Sequence, residues 1–201
     1  MRHFKYNSSN MDTPIERNEN FFVEILKFSL IALLIVVPIR FFIAQPFVVS
    51  GASMSPAFED GEYLVIDQLS YRFNEPQRGD VVIFRYPRDP RTYFIKRIVG
   101  LPGESLEMSG KTLYVRNDEN PDGFALSEPY IAKENEQGNF FSVTLADDEY
   151  FVLGDNRAAS SDSRVWGPLN EQYLIGRSFL RLIPLTHIGI LPGDYRNAYT
   201  Q

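Results

Sequence analysis

The chain has 201 residues, of which 44% are hydrophobic and 23% charged, and its formal net charge is −6. This length suits one folded domain with an additional segment, and the acidic balance argues against binding to nucleic acid, which requires a basic face. The absence of cysteine excludes disulfides, thiolate metal sites and cysteine nucleophiles. The sequence also lacks the spacing of a metal site or of a phosphate-binding glycine loop, so we expect neither a metal nor a cofactor.

The N-terminal region divides into a polar tail and an apolar segment. Residues 1–20 are polar and are predicted to be a disordered tail. The segment 21–44 is long enough for one transmembrane helix, and Lys27 and Arg40 can extend towards opposite interfaces. Two alternatives remain open, a buried helix of a soluble protein and a signal peptide cleaved after the small residues 50–52.

The distribution of charge favours one orientation of this predicted anchor in the lipid bilayer. Residues 1–40 carry five Lys/Arg against four Asp/Glu, whereas the remainder carries 15 against 22. Because positive charge is retained on the cytoplasmic side, we expect a single-pass protein with its N-terminus inside. Residues 45–201 would then form a domain outside the cytoplasmic membrane.

Beyond residue 45 the pattern predicts a mainly β fold, with short antiparallel strands in a compact, barrel-like arrangement. Gly110 marks a hairpin turn, the acidic stretch 117–139 is predicted to be solvated surface, and 171–176 a short helix or turn. The predicted strands are apolar, β-branched or aromatic runs separated by Gly and Pro: Tyr63–Ile66, Asp80–Tyr86, Tyr93–Val99, Thr112–Arg116, Phe140–Leu145, Tyr150–Leu153 and Arg177–Ile183.

The strand Tyr93–Val99 carries two adjacent cations, Lys96 and Arg97, on opposite faces. Both faces also carry apolar residues, so we expect one of the two cations to lie against the core. A buried lysine has a lowered pKa and can act as a general base near neutral pH, whereas arginine stays charged. The alternative is a lysine on an edge strand that extends to solvent.

Two loops carry the other candidate groups. Ser53 lies in a small-residue loop between Gly51, which permits close approach of another backbone, and Pro56. The stretch 154–164 alternates acids and bases with three serines directly after a strand, a composition that allows the loop to be braced internally. By itself the Ser53 loop is much more typical of an ordinary turn, and the stretch 154–164 is at least as typical of a purely structural loop.

Together these segments resemble bacterial type I signal peptidases, over about residues 46 to 167. Their order along the chain behind an apolar segment is more specific than any one of them. The segments that carry the resemblance are Ser53-Met54-Ser55-Pro56, Lys96–Gly103 and Gly154–Arg164, together with the similar stretch Arg78–Phe84.

The resemblance implies a membrane-anchored serine peptidase that cleaves signal peptides from exported preproteins at the outer membrane surface. It implies Ser53 as the nucleophile and Lys96 as the general base, with Ser160 orienting the lysine. It also implies substrates with small residues at positions −1 and −3. The remaining implied roles are bracing of the active-site loop by Asp155, Arg157, Asp162 and Arg164, and lining of the substrate pockets by Val49, Met54, Phe58 and Ile95.

The chemistry of the residues agrees with a Ser–Lys pair, because His3 would lie across the membrane from Ser53 and only His187 remains. The Ser53 backbone N–H would be the first oxyanion donor. Gly51 stands where some relatives have a second, hydroxyl donor. Ala57 and the pair Ala158-Ala159 also depart from the pattern of the family.

Two other functions remain open. Self-cleaving repressor peptidases use a similar Ser–Lys pair, but they lack an anchor, and nothing here resembles their DNA-binding helices. A membrane-anchored β-domain that binds peptides without cleaving them is the non-enzymatic alternative. Mutation of Ser53 separates these possibilities, because a binding domain would keep its function.

Overall fold

The computed structural model describes residues 21–38 and 44–195. The chain divides into two compact units, Met1–Val37 and Pro38–Gln201. Helix α1 spans Phe21–Pro38 and is apolar along most of its length. Within the described residues, no helix combines the length and the apolar character needed to cross a bilayer. The predicted tail, 1–20, and residues 39–43 of the predicted anchor lie outside the described residues.

The second unit is built mainly from antiparallel strands, as predicted. The α-helix in the described part of this unit, α2, is short and spans Ser163–Trp166. Its strands are β1 (Ala44–Val48), β2 (Tyr63–Asp67), β3 (Val81–Tyr86), β4 (Asp89–Gly100), β5 (Ser105–Gly110), β6 (Thr112–Arg116), β7 (Phe124–Ala125), β8 (Asn139–Thr144), β9 (Glu149–Leu153), β10 (Leu169–Asn170), β11 (Leu174–Ile183) and β12 (Gly189–Ile190).

The larger sheet contains eight strands in the order β1-β2-β11-β3-β4-β9-β10, with β12 paired to β11. All of its pairings are antiparallel. Strands β1 and β10 form its two edges in the described part of the chain, so the sheet does not close. The expectation of a barrel-like arrangement is therefore wrong, because a barrel requires its two edge strands to pair with each other.

The smaller sheet contains four strands in the order β7-β6-β5-β8. Its hairpin β5–β6 pairs Ser109 with Thr112 and turns at Gly110, as predicted. Buried and exposed residues alternate along β6, so one face covers an apolar core. That core contains Val99, Leu106, Met108, Leu113, Val115, Leu126, Leu145, Phe151 and Leu153, and thereby joins the smaller sheet to β4 and β9.

Two further apolar clusters form the core of the larger sheet. One contains Val82, Phe84, Ile98, Tyr150, Val152 and Leu169. The other packs beneath the loop that carries Ser53, and it contains Val49, Met54, Phe58, Leu64, Ile66, Val81 and Ile83. Burial of these side chains fixes the loop relative to strands β2 and β3, because large apolar side chains are stabilised when they are removed from water.

The strand predictions are confirmed to within a few residues, but β1, β5 and the two-residue strands β7, β10 and β12 were not predicted. Strand β1 contains Gln45 and Pro46 and lacks an apolar pattern; as an edge strand it tolerates a proline. Residues 171–173 form a single 3₁₀ turn, in agreement with the first half of the helix or turn predicted over 171–176, whereas 174–176 belong to β11. The stretch 117–139 is not simply solvated surface, since Leu126 and Tyr130 are buried.

Candidate active site

The loop that carries Ser53 is held at several backbone positions. The amide of Asn156 donates to the carbonyl oxygen of Ser53 at 3.0 Å, and the amide of Phe58 donates to the carbonyl oxygen of Met54 at 2.9 Å. Gly51 has a φ of +86°, and its amide donates to the Asp60 carboxylate at 2.7 Å. This positive φ explains the glycine, because other L-residues rarely adopt it.

Lys96 extends from β4 to the hydroxyl of Ser53. Its Nζ lies 2.8 Å from Ser53 Oγ and donates to the carbonyl oxygen of Ile95 at 2.8 Å. The residue is only 4% exposed. Burial lowers the pKa of Lys96 to about 8, although the carboxylates of Asp162 and Asp155 act in the opposite direction. An appreciable fraction of the amine is therefore neutral near neutral pH and able to accept a proton.

Arg97, the next residue of β4, is also fully buried. The sequence predicted that one of the two cations lies against the core, whereas the structure buries both. Its guanidinium donates to both carboxylate oxygens of Asp155, at 2.8 and 2.7 Å. Burial raises the pKa of Asp155, and hydrogen bonding to Arg97 opposes this shift. A bidentate pair of this kind satisfies both charges in the absence of water.

The loop 154–164 is braced internally, as its composition predicts. Arg164 donates to both carboxylate oxygens of Asp162 at 2.8 Å, and the amide of Gly154 donates to the same carboxylate at 3.1 Å. Burial would raise the pKa of Asp162, but the hydrogen bonds and charge of Arg164 hold it below its ordinary value. Arg157 donates to the carbonyl oxygen of Gly154 at 3.1 Å and pairs with Glu128.

Ser160 lies beside this cluster without a hydrogen bond to Lys96. Its hydroxyl is buried and has no hydrogen-bond partner in the described part of the chain. It lies close enough to the Asp162 carboxylate to help lower its pKa, although the two groups do not reach hydrogen-bond geometry. The second hydrogen bond of Lys96 is instead made to the carbonyl oxygen of Ile95.

An apolar groove of about 220 Å³ leads to Ser53 and Lys96. Val49 and Ile95, two of the residues expected to line the substrate pockets, do line it. Met54 and Phe58 are instead 1% and 0% exposed and support the loop from below. Sequence reasoning missed other lining residues, which come from four strands, β1 to β4: Phe47, Leu64, Ile83 and Tyr93.

Contacts from the stretch 117–139 were also missed. Asn135 donates from its side chain to the carbonyl oxygen of Ser55 at 2.9 Å, and Glu128 pairs with Arg157. No sequence pattern marks these residues, because an acidic loop looks the same whether or not it folds back on the site. Across the described residues, no three His, Cys, Asp or Glu side chains are grouped so that they could hold a metal ion.

Comparison with known proteins assigns the family. Residues 22–183 match the family model described as signal peptidase, peptidase S26. This chain belongs to the signal peptidase family. It is 36% identical over 187 residues to a probable signal peptidase I-1 of Synechocystis sp., covering 90% of this chain and 92% of the relative. It is 31% identical over 191 residues to signal peptidase I T of Bacillus subtilis, covering 90% and 95% respectively.

Among solved structures, a signal peptidase I from Enterococcus faecalis is 33% identical to this chain, with a TM-score of 0.44. The alignment covers 52% of this chain and 97% of that one. Membership of the signal peptidase family supports a peptidase activity directed at signal peptides. The groove, the serine and the buried lysine lie within the matched residues.

Proposed function

We propose that this signal peptidase family member is a serine endopeptidase in which Ser53 is the nucleophile and Lys96 the general base. Its substrates are exported preproteins, from which it removes the N-terminal signal peptide at the outer face of the cytoplasmic membrane. The observation that carries the proposal is the 2.8 Å distance between Lys96 Nζ and Ser53 Oγ. The burial of Lys96 supports it, because a neutral amine is the form that accepts a proton.

In the first step, Lys96 accepts the hydroxyl proton while Ser53 Oγ bonds to the carbonyl carbon of the scissile peptide. The negative charge then develops on the former carbonyl oxygen, and the Ser53 backbone N–H is the donor proposed for it. The Lys96 ammonium returns its proton to the leaving amine as the C–N bond breaks. The Lys96 amine then deprotonates a water molecule, which attacks the ester formed on Ser53. Return of that proton to Ser53 Oγ as the ester bond breaks regenerates both side chains.

The apolar lining of the groove supports a preference for small apolar residues at positions −1 and −3 of the substrate. Val49 and Ile95 line the groove together with Ser53, and both pack in the apolar cluster beneath the Ser53 loop. A phenylalanine at position −1 would require space that a close-packed wall does not offer. We therefore propose that alanine at these two positions is accepted and that phenylalanine at position −1 is not.

The proposed location rests on the apolar composition of segment 21–44 and on the charge asymmetry of the chain. Residues 21–44 would anchor the protein once in the cytoplasmic membrane, with the N-terminus inside. Protease added to intact cells should then degrade residues 45–201. Protection of this region until the membrane is broken would contradict the topology without affecting the proposed chemistry.

The test of the activity is incubation of the purified full-length protein with a preprotein, followed by N-terminal mapping of the product. The parent should release a mature chain cut after a small residue, and Ser53→Ala should release none. Ser142→Ala is the matched control, because it removes an exposed hydroxyl from the smaller sheet. Binding of the preprotein without cleavage by any of the three would leave a peptide-binding domain as the function.

A further inference from the structure

The guanidinium of Arg97 is satisfied by groups from distant parts of the chain. Beside its pair with Asp155, its Nη1 donates to the carbonyl oxygens of Gly79 at 2.8 Å and of Gly193 at 2.6 Å. Because Arg97 is fully buried, these carbonyl groups take the place of water. The contact with Gly193 joins the end of the described chain to strand β4.

Two tyrosine rings cover the same guanidinium. The Cζ atom of Arg97 lies 4.1 Å from the ring centroid of Tyr130 and 5.2 Å from that of Tyr195. The two ring centroids are themselves 5.4 Å apart. Such contacts between a cation and aromatic rings strengthen when water is excluded.

Gly193 and Tyr195 belong to a segment that we call the C-terminal strap, residues 191–195. The amide of Leu191 fastens it to the carbonyl oxygen of Phe179 at 2.7 Å. At Gly193 the φ is +71°, and an added Cβ would lie 2.7 Å from the ring of Phe58. The family match ends at residue 183, so the strap is additional to the matched part of this chain.

The strap is connected to Ser53 through a short series of bonds. Arg97 holds Asp155, and the next residue, Asn156, donates its amide to the carbonyl oxygen of Ser53 at 3.0 Å. The position of Ser53 therefore depends on the loop that Arg97 anchors. If Arg97 lost the strap, water would compete for its guanidinium and the loop would be held less firmly.

We propose that Tyr195 is a positioning residue for the proposed peptidase reaction, acting through Arg97 and Asp155 to keep Ser53 in register with Lys96. This inference rests on the proposed function and extends it to a segment outside the family match. The ring of Tyr195 packs against Arg97 and Tyr130. Its effect should therefore appear in the chemical step more than in substrate binding.

The test compares Tyr195→Ala, Tyr195→Leu and Tyr195→Phe in the full-length protein, with kcat, KM and the pH profile measured for cleavage of a preprotein. The first two variants remove the aromatic face and should lower kcat about tenfold while KM stays nearly unchanged. Their profiles should also shift to higher pH, because a loosened loop admits water to Lys96 and raises its pKa towards the ordinary value. Tyr195→Phe keeps the ring and should behave like the parent.

Phe140→Ala is the matched control, since it removes a ring that is 78% exposed on the smaller sheet. Parent-like kcat and pH profiles in folded Tyr195→Ala or Tyr195→Leu would overturn the proposal, as would equal losses in Tyr195→Phe or Phe140→Ala. If Tyr195→Ala does not fold, Tyr195→Leu, which keeps apolar volume, decides the outcome. Full activity of Ser53→Ala, or no cleavage by the parent, would contradict the proposed function and therefore this inference as well.

Discussion

The two sheets of the second unit differ in what they bury. The smaller sheet covers a core of aliphatic and aromatic side chains, and its ion pairs, such as Glu107–Arg116, are about half exposed. The larger sheet buries charges around its candidate site, among them Lys96, Arg97 and Asp162. Both regions are antiparallel sheets, so the difference lies in side chains and not in backbone architecture.

This difference shows that charged side chains are buried around the candidate site, where their burial is energetically unfavourable. Burying a charge is unfavourable unless it is paired and hydrogen-bonded. Arg97 and Asp162 meet this condition with bidentate partners. Lys96 has a hydroxyl and a carbonyl group as hydrogen-bond partners and forms no ion pair within the described residues, and its burial lowers its pKa. The part of the larger sheet whose core contains charged side chains is therefore also the part that carries the candidate active site.

The largest expected difference between the two regions concerns their lysines. Lys96→Met keeps the length of the side chain but removes the amine, and it should reduce single-turnover cleavage of a preprotein by about 10²- to 10⁴-fold. Lys96→Arg should fail as well, because arginine does not become neutral. Lys111→Met, which removes an exposed cation paired with Glu136 on the smaller sheet, should leave the rate unchanged. Near-normal turnover by Lys96→Arg would reject lysine as the base.

The second largest difference is expected in how much the ion pairs of the two regions contribute to the free energy of unfolding. Asp162→Asn leaves the buried Arg164 without its charge partner and should lower the free energy of unfolding by about 3–5 kcal/mol. Glu107→Gln breaks the exposed pair with Arg116 and should cost about 0–1 kcal/mol. Urea denaturation of the two variants beside the parent measures both values. Similar values for the two would remove the energetic contrast between the regions.

The pH dependence of cleavage should follow the buried lysine. Because the neutral amine is the active form, kcat/KM should rise with pH up to the pKa of about 8 and level off above it. At pH 6 it should be about 100-fold below the plateau, given tenfold per pH unit. Fluorescence of Trp166, the only tryptophan, reports whether the protein stays folded. A flat profile between pH 6 and 8 in folded protein would contradict the assignment.

The smallest effects are expected at two glycines with positive φ and open space around an added Cβ, Gly51 beside the site and Gly110 in the hairpin of the smaller sheet. Substitution by serine at either position should lower the free energy of unfolding by about 1–2 kcal/mol, because L-residues are strained at these angles. The cleavage rate of Gly51→Ser should stay equal or rise, since its hydroxyl can add an oxyanion donor. Gly110→Ser should not change the rate. Loss of cleavage in folded Gly51→Ser would show that the donor argument is wrong.

Local pattern predicted most of the strands. Alternation along β6 follows from the period of two in a strand, and the continuous apolar runs of β3 and β9 are typical of strands buried on both faces, so the predicted bounds are close to those observed. Strand β1 escaped prediction because its sequence, Ala-Gln-Pro-Phe-Val, has no such pattern. The open form of the larger sheet could not be predicted either, because it depends on which distant strands become its edges.

The sequence by itself determined the motif residues Ser53 and Lys96 and the composition of the loop 154–164, since residue type and order along the chain are enough to identify them. Only the tertiary structure decided that Arg97 is buried as deeply as Lys96, that Met54 and Phe58 lie beneath the groove and not along it, and that Tyr130 and Tyr195 cover a guanidinium. The physical reason is distance along the chain. Burial and the pKa of a lysine depend on neighbours many residues away, and no local pattern records which neighbours those are.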